Sequence, residues 1–509
     1  MPQLHSGFPR GLLAAGHDPN LPGAKFGRMF PKLTPGKYGT NSEASLLKLG
    51  AAMSAELEAP KDGPDGEESG IPALYTYFSQ FIDHDLTFDP NSTFAKQNDQ
   101  PAQVDFRTPG FDLDNIYGRG PGDQPYLYDS DQKTLLLGDP LQQGDPNAHD
   151  LQRNRLDRAL IGDPRNDENA IVSQFQGLMI HFHNNVVKKH PDKALHEIQQ
   201  MVRNHYQYVV VHDFLERIVS QSVLNLLKNK KGVYDQKKLK FYKIKKYAYM
   251  PLEFSVAAYR LGHSMVRPGY RLNSLVLLPI FPTADSSEGL VGFRRMNIQW
   301  GIDWGRFIDI DQRPYGKESQ SPDEEAKLPP DIKKQNFERL QFAYRIDTSI
   351  VNPLSTLPPS VANNPPKSLA QRNLLRGLEF GMPTGQQVAK QMGIKPLKDK
   401  EIQIGKMGEN LTDKDIVTVV GKEFKGKCPL WTYVLAEAMH HAATLNIPTT
   451  GAEKIETPQL GPVGGRIVAE VFLGLIFADK NSFLNKDPAW SPDAVNDYKL
   501  KDLVREALA

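Results

Sequence analysis

The stretch 71–90, IPALYTYFSQFIDHDLTFDP, sets two carboxylates, Asp83 and Asp85, on either side of His84 in a segment that is otherwise aromatic and apolar. An aromatic segment of this kind has to be buried, and burying ionisable groups without partners is expensive. The chain must therefore fold so that these groups either reach water or hold something charged. The spacing predicts a helix: Gln80 and His84 share one face, one turn apart. Ala73, Tyr77 and Phe81 lie on or near one apolar stripe, and Pro72 suits a first helical turn. A histidine on such a helix is more often a packed residue than a reactive one. The density of ionisable groups around His84 is what sets it apart.

The 509 residues suffice for a large core. Lysine plus arginine number 61 and aspartate plus glutamate 60, a formal charge of +1, which argues against nucleic acid or an anionic membrane as an obligatory partner. A single cysteine, Cys428, excludes an intramolecular disulfide framework. The first residues carry no basic region followed by a long apolar run, so no signal peptide is expected. The longest apolar run, 467–478, is too short to span a bilayer and contains Glu470. The expectation is a soluble, monomeric chain, cytoplasmic or exported by an unconventional route.

Along the chain, residues 1–45 read as an irregular arm rich in Gly, Pro and Lys, and 46–509 as one helical domain, since no linker divides it. Helices are predicted over 46–60, 71–90, 166–190, 193–227, 250–266, 368–380, 384–393, 412–424, 429–445 and 465–478. Short strands are expected near 273–282 and 288–300, and loops over 89–165, 312–332 and 352–367. The lysine-rich run 228–246 reads as a solvated insertion. The fold class is mainly α with long loops and very little β. A loop as long as 89–165 is usually functional or tied down by something.

Further groups stand out. In RTPGFDLDNIYG (107–118), Thr108, Asp112 and Asp114 alternate with Gly110 and apolar residues, oxygen donors suited to a hard cation, although such a run is more often just a turn. In GDPRNDENAI (162–171), Arg165 and Glu168 can share one side of a first helical turn, where Asn166 or Asp167 would otherwise serve as a cap. In AAYRLGHSMVRPG (257–269), His263 follows Arg260 by one turn on a small-residue, apolar segment, the setting of a structural histidine or of an axial haem ligand. The paired histidines His181/His183 and His440/His441 and the GPVGG run at 461–465 are weaker signals, and neither G-x-S-x-G nor H-E-x-x-H occurs.

Taken in order, FSQFIDHDLTF (78–88), TPGFDLDNIYG (108–118), GDPRNDEN (162–169) with HFHNN (181–185), AAYRLGHSM (257–265), RNLLRG (372–377) and LGPVGGRIVAEVFLGL (460–475) resemble the animal-type haem peroxidases of the peroxidase–cyclooxygenase superfamily, in a bacterial-type form. The resemblance implies that His84 is the distal histidine, Gln80 the distal glutamine and Arg165 the distal arginine. It implies that His263 ligates haem iron and that Asn373 accepts the His263 N–H. Asp83 and Glu168 match carboxylates that become esterified to haem b, and Arg260 and Arg376 are candidates to pair with its propionates. Asp85, Thr108, the Gly110 carbonyl, Asp112 and Asp114 match a calcium site. The implied reaction reduces hydrogen peroxide through a ferryl intermediate and oxidises iodide, bromide, thiocyanate or phenols.

The chain departs from the pattern at two places. Asn169 stands where mammalian members carry a methionine that forms a sulfonium link to haem, so that link is not expected. The arginine-aspartate-histidine-glycine stretch of the family is replaced by Arg376-Gly377 followed by Leu378-Glu379-Phe380-Gly381. Two other functions fit the same motifs. One is a haem-dependent fatty-acid dioxygenase with Tyr344 as a radical site; the other is a haem- and calcium-binding protein without turnover.

Overall fold

The structure, a computed structural model, describes residues 26–87, 109–244, 248–283, 286–319, 321–359, 361–492 and 497–509. Its architecture is mainly helical. The strands among the described residues pair only two by two: β1 (Phe26–Gly27) with β3 (Met250–Pro251), β2 (Glu68–Pro72) with β6 (Phe342–Tyr344), β4 (Gly269–Arg271) with β5 (Leu277–Pro279), and β7 (Ala442–Asn446) with β8 (Lys454–Pro458). Buried apolar side chains from Met29 to Ala507 form one continuous cluster.

Helix α2 (Leu74–Leu86) runs through the centre of this cluster, buried on all sides except at Gln80 and Asp83. Its aromatic residues explain the placement. Phe78 meets Phe175, Tyr206 and Phe214 edge-on at centroid distances of 5.8, 6.1 and 5.6 Å, and Phe81 meets Phe175 at 5.1 Å. These edge-to-face pairs suit the ring quadrupoles, and each contributes about 0.5–1.5 kcal/mol beyond area burial. They clamp α2 against α4 (Ala170–Lys189) and α5 (Leu195–Val209).

Several boundaries differ from expectation. Ile71 and Pro72 do not open α2; they end β2, whose pairing with β6 takes the chain into the core before the helix starts. The first helix begins at Ser42, inside the expected arm, because the Asn41 side chain caps it by accepting from the Ala44 amide. The predicted helix 193–227 passes into a π-turn at Val210–Phe214 and ends at Ile218. The predicted helix 250–266 is a strand, then a π-turn (Glu253–Ala257) and a 3-10 segment (Ala258–His263), with the break at Ala257 (φ −129°, ψ −76°). The hairpin β7–β8 and the C-terminal helix Leu500–Leu508, absent from the sequence-based expectation, depend on pairing and docking with distant elements. Among the described residues no helix is long and apolar enough to cross a membrane.

Behind β2 and β6 lies a buried charge cluster. The Glu68 carboxylate accepts from Arg267 and Arg339, all three sealed from solvent, and Arg339 Nη1 reaches Oε1 at 2.8 Å. Removing one partner of such a cluster leaves uncompensated buried charge, which costs about 3–5 kcal/mol. Glu68→Ala is therefore expected to lower unfolding free energy by that order in urea titrations, whereas an unchanged midpoint would show that both guanidinium groups find other acceptors.

Candidate active site

The 3-10 turn Pro164–Asp167 is capped by Asp163, whose carboxylate accepts from the Arg165 amide at 2.9 Å, with Pro164 pre-shaped for a first helical position. Asn169, not Asn166 or Asp167, caps α4, accepting from the Ile171 amide at 2.8 Å. Asp167 instead forms a two-point ion pair with Arg153, at 2.7 Å for each contact, and so secures the long loop to the turn.

This turn delivers its side chains against the exposed flank of α2. Gln80 Nε2 donates to Glu168 Oε1 at 2.6 Å, and the same oxygen lies 3.4 Å from His84 Nε2. His84 Nδ1 is 2.6 Å from Asn166 Oδ1. Arg165 Nη2 donates to the carbonyls of His84 (3.0 Å) and Thr87, and to Asp163 at 2.9 Å. A cation over the last carbonyls of α2 complements the helix dipole and braces the backbone that carries His84. Gln80, His84, Arg165 and Glu168, far apart in sequence, are thus one cluster. Asp83 stands beside them, partly accessible on the same helix.

On the other side is the 3-10 segment bearing Arg260 and His263. In a 3-10 helix residues three apart eclipse, so Arg260 still stacks over the next turn. Asn373 Nδ2 is placed 2.7 Å from His263 Nδ1. With the amide turned so that its Oδ1 accepts the Nδ1–H, the Nε2 lone pair faces outward. Burial and the nearby Arg260 charge push the His263 pKa down to about 3, so the imidazole is neutral and able to ligate a metal. The Trp431 indole donates to the Arg260 carbonyl at 3.2 Å, and the Arg376 guanidinium lies 5.0 Å from the Phe380 ring centroid.

The two sides touch at Ser79. Its carbonyl accepts from the Tyr259 hydroxyl at 3.2 Å, and a Cβ at Gly262 would lie 3.7 Å from its Oγ. Beyond this contact, Gln80, Asp83 and Glu168 on one side and Arg260 and His263 on the other retain partial exposure, although their neighbours in α2 and around Leu261 are buried. A neutral imidazole held by an amide, partly accessible carboxylates and nearby guanidinium groups fit an iron porphyrin with anionic propionates.

The 109–118 loop packs beside the distal cluster, but Thr108 lies outside the described residues. Asp85 and Asp114 are buried, and the charge of Asp85 helps to raise the Tyr206 hydroxyl pKa, after burial, the main cause. The loop is held by protein donors: Arg203 Nε to the Asp112 carbonyl at 2.7 Å and Gln207 Nε2 to the Phe111 carbonyl at 3.1 Å. Among the described residues no group of three or more His, Cys, Asp or Glu is arranged to hold a metal ion.

Other sequence candidates have structural partners. Tyr344 donates to Asp65 at 2.7 Å, with Arg267 over its ring. His183 bridges the Tyr117 hydroxyl and the Lys133 carbonyl. The amides of Val463 and Gly464 in GPVGG donate to the buried Glu437 carboxylate, which takes the place a phosphate would need. The residues that sequence reasoning missed are Asp163, Gln176 and Asn115. Gln176 had a signal: an amide on the apolar stretch of α4, where it is fully buried.

Residues 94–276 match the family model for the animal haem peroxidase. A dual oxidase from Drosophila melanogaster is 23% identical over 250 residues, covering 46% of this chain and 14% of that protein. The chain thus spans about one seventh of the curated relative it matches. In fold, it is similar to peroxidase A from Dictyostelium discoideum (TM-score 0.56, 12% identity, 96% of this chain and 94% of the other). It is also similar to a fatty acid alpha-dioxygenase from Oryza sativa (TM-score 0.53, 16% identity, 96% and 82%). The family match covers residues 94–276, about a third of the chain, and the fold relatives share its mainly helical architecture.

Proposed function

We propose that this protein is a haem peroxidase that reduces hydrogen peroxide and oxidises small donors: iodide, bromide, thiocyanate or phenols. The observation that carries this reading is the cluster of Gln80, His84, Arg165 and Glu168 on α2 and the 164–168 turn, tied through the Ser79 carbonyl and the Tyr259 hydroxyl to the segment that bears the Asn373-bound His263. Haem held through His263, with Arg260 and Arg376 toward its propionates, supplies the redox chemistry when bound. His84 Nε2 takes the proton from the inner oxygen of peroxide and returns it to the outer oxygen, which leaves as water; this is general acid–base work. Gln80 holds Glu168, so that its carboxylate stays in place beside His84. Arg165 keeps His84 in position through the α2 carbonyls and adds positive charge where negative charge develops.

Acid–acetone extraction followed by intact mass tests the cofactor. Haem that resists extraction and adds its mass to the chain supports an ester through Asp83 or Glu168, and a haem-free, fully folded protein refutes the whole reading. Calcium belongs to the proposal through Asp85, Thr108, the Gly110 carbonyl, Asp112 and Asp114. What supports it is the burial of two aspartates beside an oxygen-rich loop. Chelator treatment is then expected to lower the melting temperature by several degrees, and a melt indifferent to chelator and added calcium removes the ion from the account.

The dioxygenase reading is favoured by the fold relatives that are fatty acid alpha-dioxygenases. The Tyr344 engagement with Asp65 speaks against the radical site suggested for it. Oxygen uptake with an unsaturated fatty acid would restore it.

A further inference from the structure

We propose that Asn166 and Gln176 are positioning residues that fix which nitrogen of His84 carries the proton; the proposal rests on the peroxidase reading for its consequence but not for its geometry. The argument starts at a backbone carbonyl. The carbonyl of Asn115 accepts only, and Gln176 Nε2 lies 3.0 Å from it. The Gln176 amide is therefore oriented, and its Oε1 faces Asn166, whose Nδ2 lies 2.7 Å away. That contact orients the second amide in turn. Asn166 must present Oδ1 to His84, at 2.6 Å from Nδ1. An oxygen acceptor at that distance requires a proton on Nδ1, because two lone pairs facing each other would repel. His84 thus carries a proton on Nδ1, and Nε2 is the nitrogen left to act as base, with Glu168 Oε1 3.4 Å away to accept from it once it has taken up a proton.

All four residues are buried, so water does not compete for these contacts, and Asn115, Asn166 and Gln176 have no solvent exposure. The relay also gives the 109–118 loop a route to His84 besides its neighbour Asp85. Asn115 belongs to the short helix Asp114–Tyr117 of that loop. The loop is wedged against Gly162, where a Cβ would come within 2.1 Å of the Asp114 carbonyl and 2.7 Å of the Asn115 carbonyl. The end of the relay is thus set by close backbone packing.

The test reads the tautomer directly, by imidazole nitrogen resonances of 15N-histidine-labelled protein, with bound haem kept diamagnetic as the ferrous carbonyl form and His84 assigned by its loss in His84→Gln. Wild-type protein is expected to show Nδ1–H. Gln176→Met frees the Asn166 amide to turn, and Asn166→Leu removes the acceptor, so both populate Nε2–H. Asn166→Asp keeps an acceptor and retains Nδ1–H, although it buries a carboxylate and costs more in stability, so a general loss of folding cannot mimic the pattern. Peroxide consumption in Gln176→Met and Asn166→Leu is expected to fall roughly 10- to 100-fold, as for other outer partners of site histidines. An Nε2–H signal in the wild type, or a tautomer unmoved by Gln176→Met and Asn166→Leu, overturns the proposal. Nδ1–H in a haem-loaded protein inert to peroxide upholds it and refutes the peroxidase reading instead.

Discussion

His84→Ala is expected to lower the rate of peroxide consumption by roughly 10²- to 10⁴-fold, the contribution typical of a positioned general acid–base group. Haem content should remain close to wild type, because the proposed ligand is His263 on the 258–263 segment and not His84 on α2. Stopped-flow mixing of haem-matched samples with peroxide measures the effect, and unaltered turnover in the variant would remove His84 from the reaction. Stability should change little by comparison. The residue deleted is a buried imidazole that meets the Asn166 amide and the Glu168 carboxylate, and the aromatic contacts that clamp α2 are untouched. Arg165→Lys is a useful contrast. Lysine cannot supply the forked contacts to Asp163 and the α2 carbonyls, so both rate and melting temperature should drop.

His263→Ala has the second large expected effect: loss of tightly held haem, read as loss of the Soret band and of iron on purification. The side chain is neutral at physiological pH because burial, reinforced by Arg260, holds its pKa near 3, so its ligating nitrogen is free of a competing proton. Asn373→Leu should have a milder result, roughly a 10- to 100-fold weaker hold on haem, since it removes the partner that orients the ring and leaves the ligand itself in place. Full haem retention in His263→Ala would place the iron ligand elsewhere.

The site was legible in sequence wherever its chemistry is carried by side chains in short, ordered motifs. Gln80 and His84 were readable as one helical face because both lie within one turn, and Arg165 with Glu168 because both lie in one short turn. The contacts among them were not readable. The 2.6 Å bond from Gln80 to Glu168 joins residues 88 positions apart. The relay through Gln176 was hidden for a similar reason: an amide on an apolar stretch signals burial but not the Asn115 carbonyl that it meets. The distortion at 253–263 was also out of reach, since Ala, Tyr and Leu there favour an ordinary helix and only packing against α2 and Trp431 bends the segment.

By itself the sequence determined that the chain is mainly helical, that an aromatic, charge-bearing helix lies at its centre, and which residues carry the peroxidase-like motifs. These follow from local periodicity and residue chemistry, which need no knowledge of distant partners. The tertiary structure alone decided where the ends of the elements fall, that Arg165 braces the α2 carbonyls, and which nitrogen of His84 meets the Asn166 oxygen. Those outcomes depend on which donor meets which acceptor once water is excluded, and in a buried site one backbone carbonyl is enough to set the direction of every hydrogen bond that follows it.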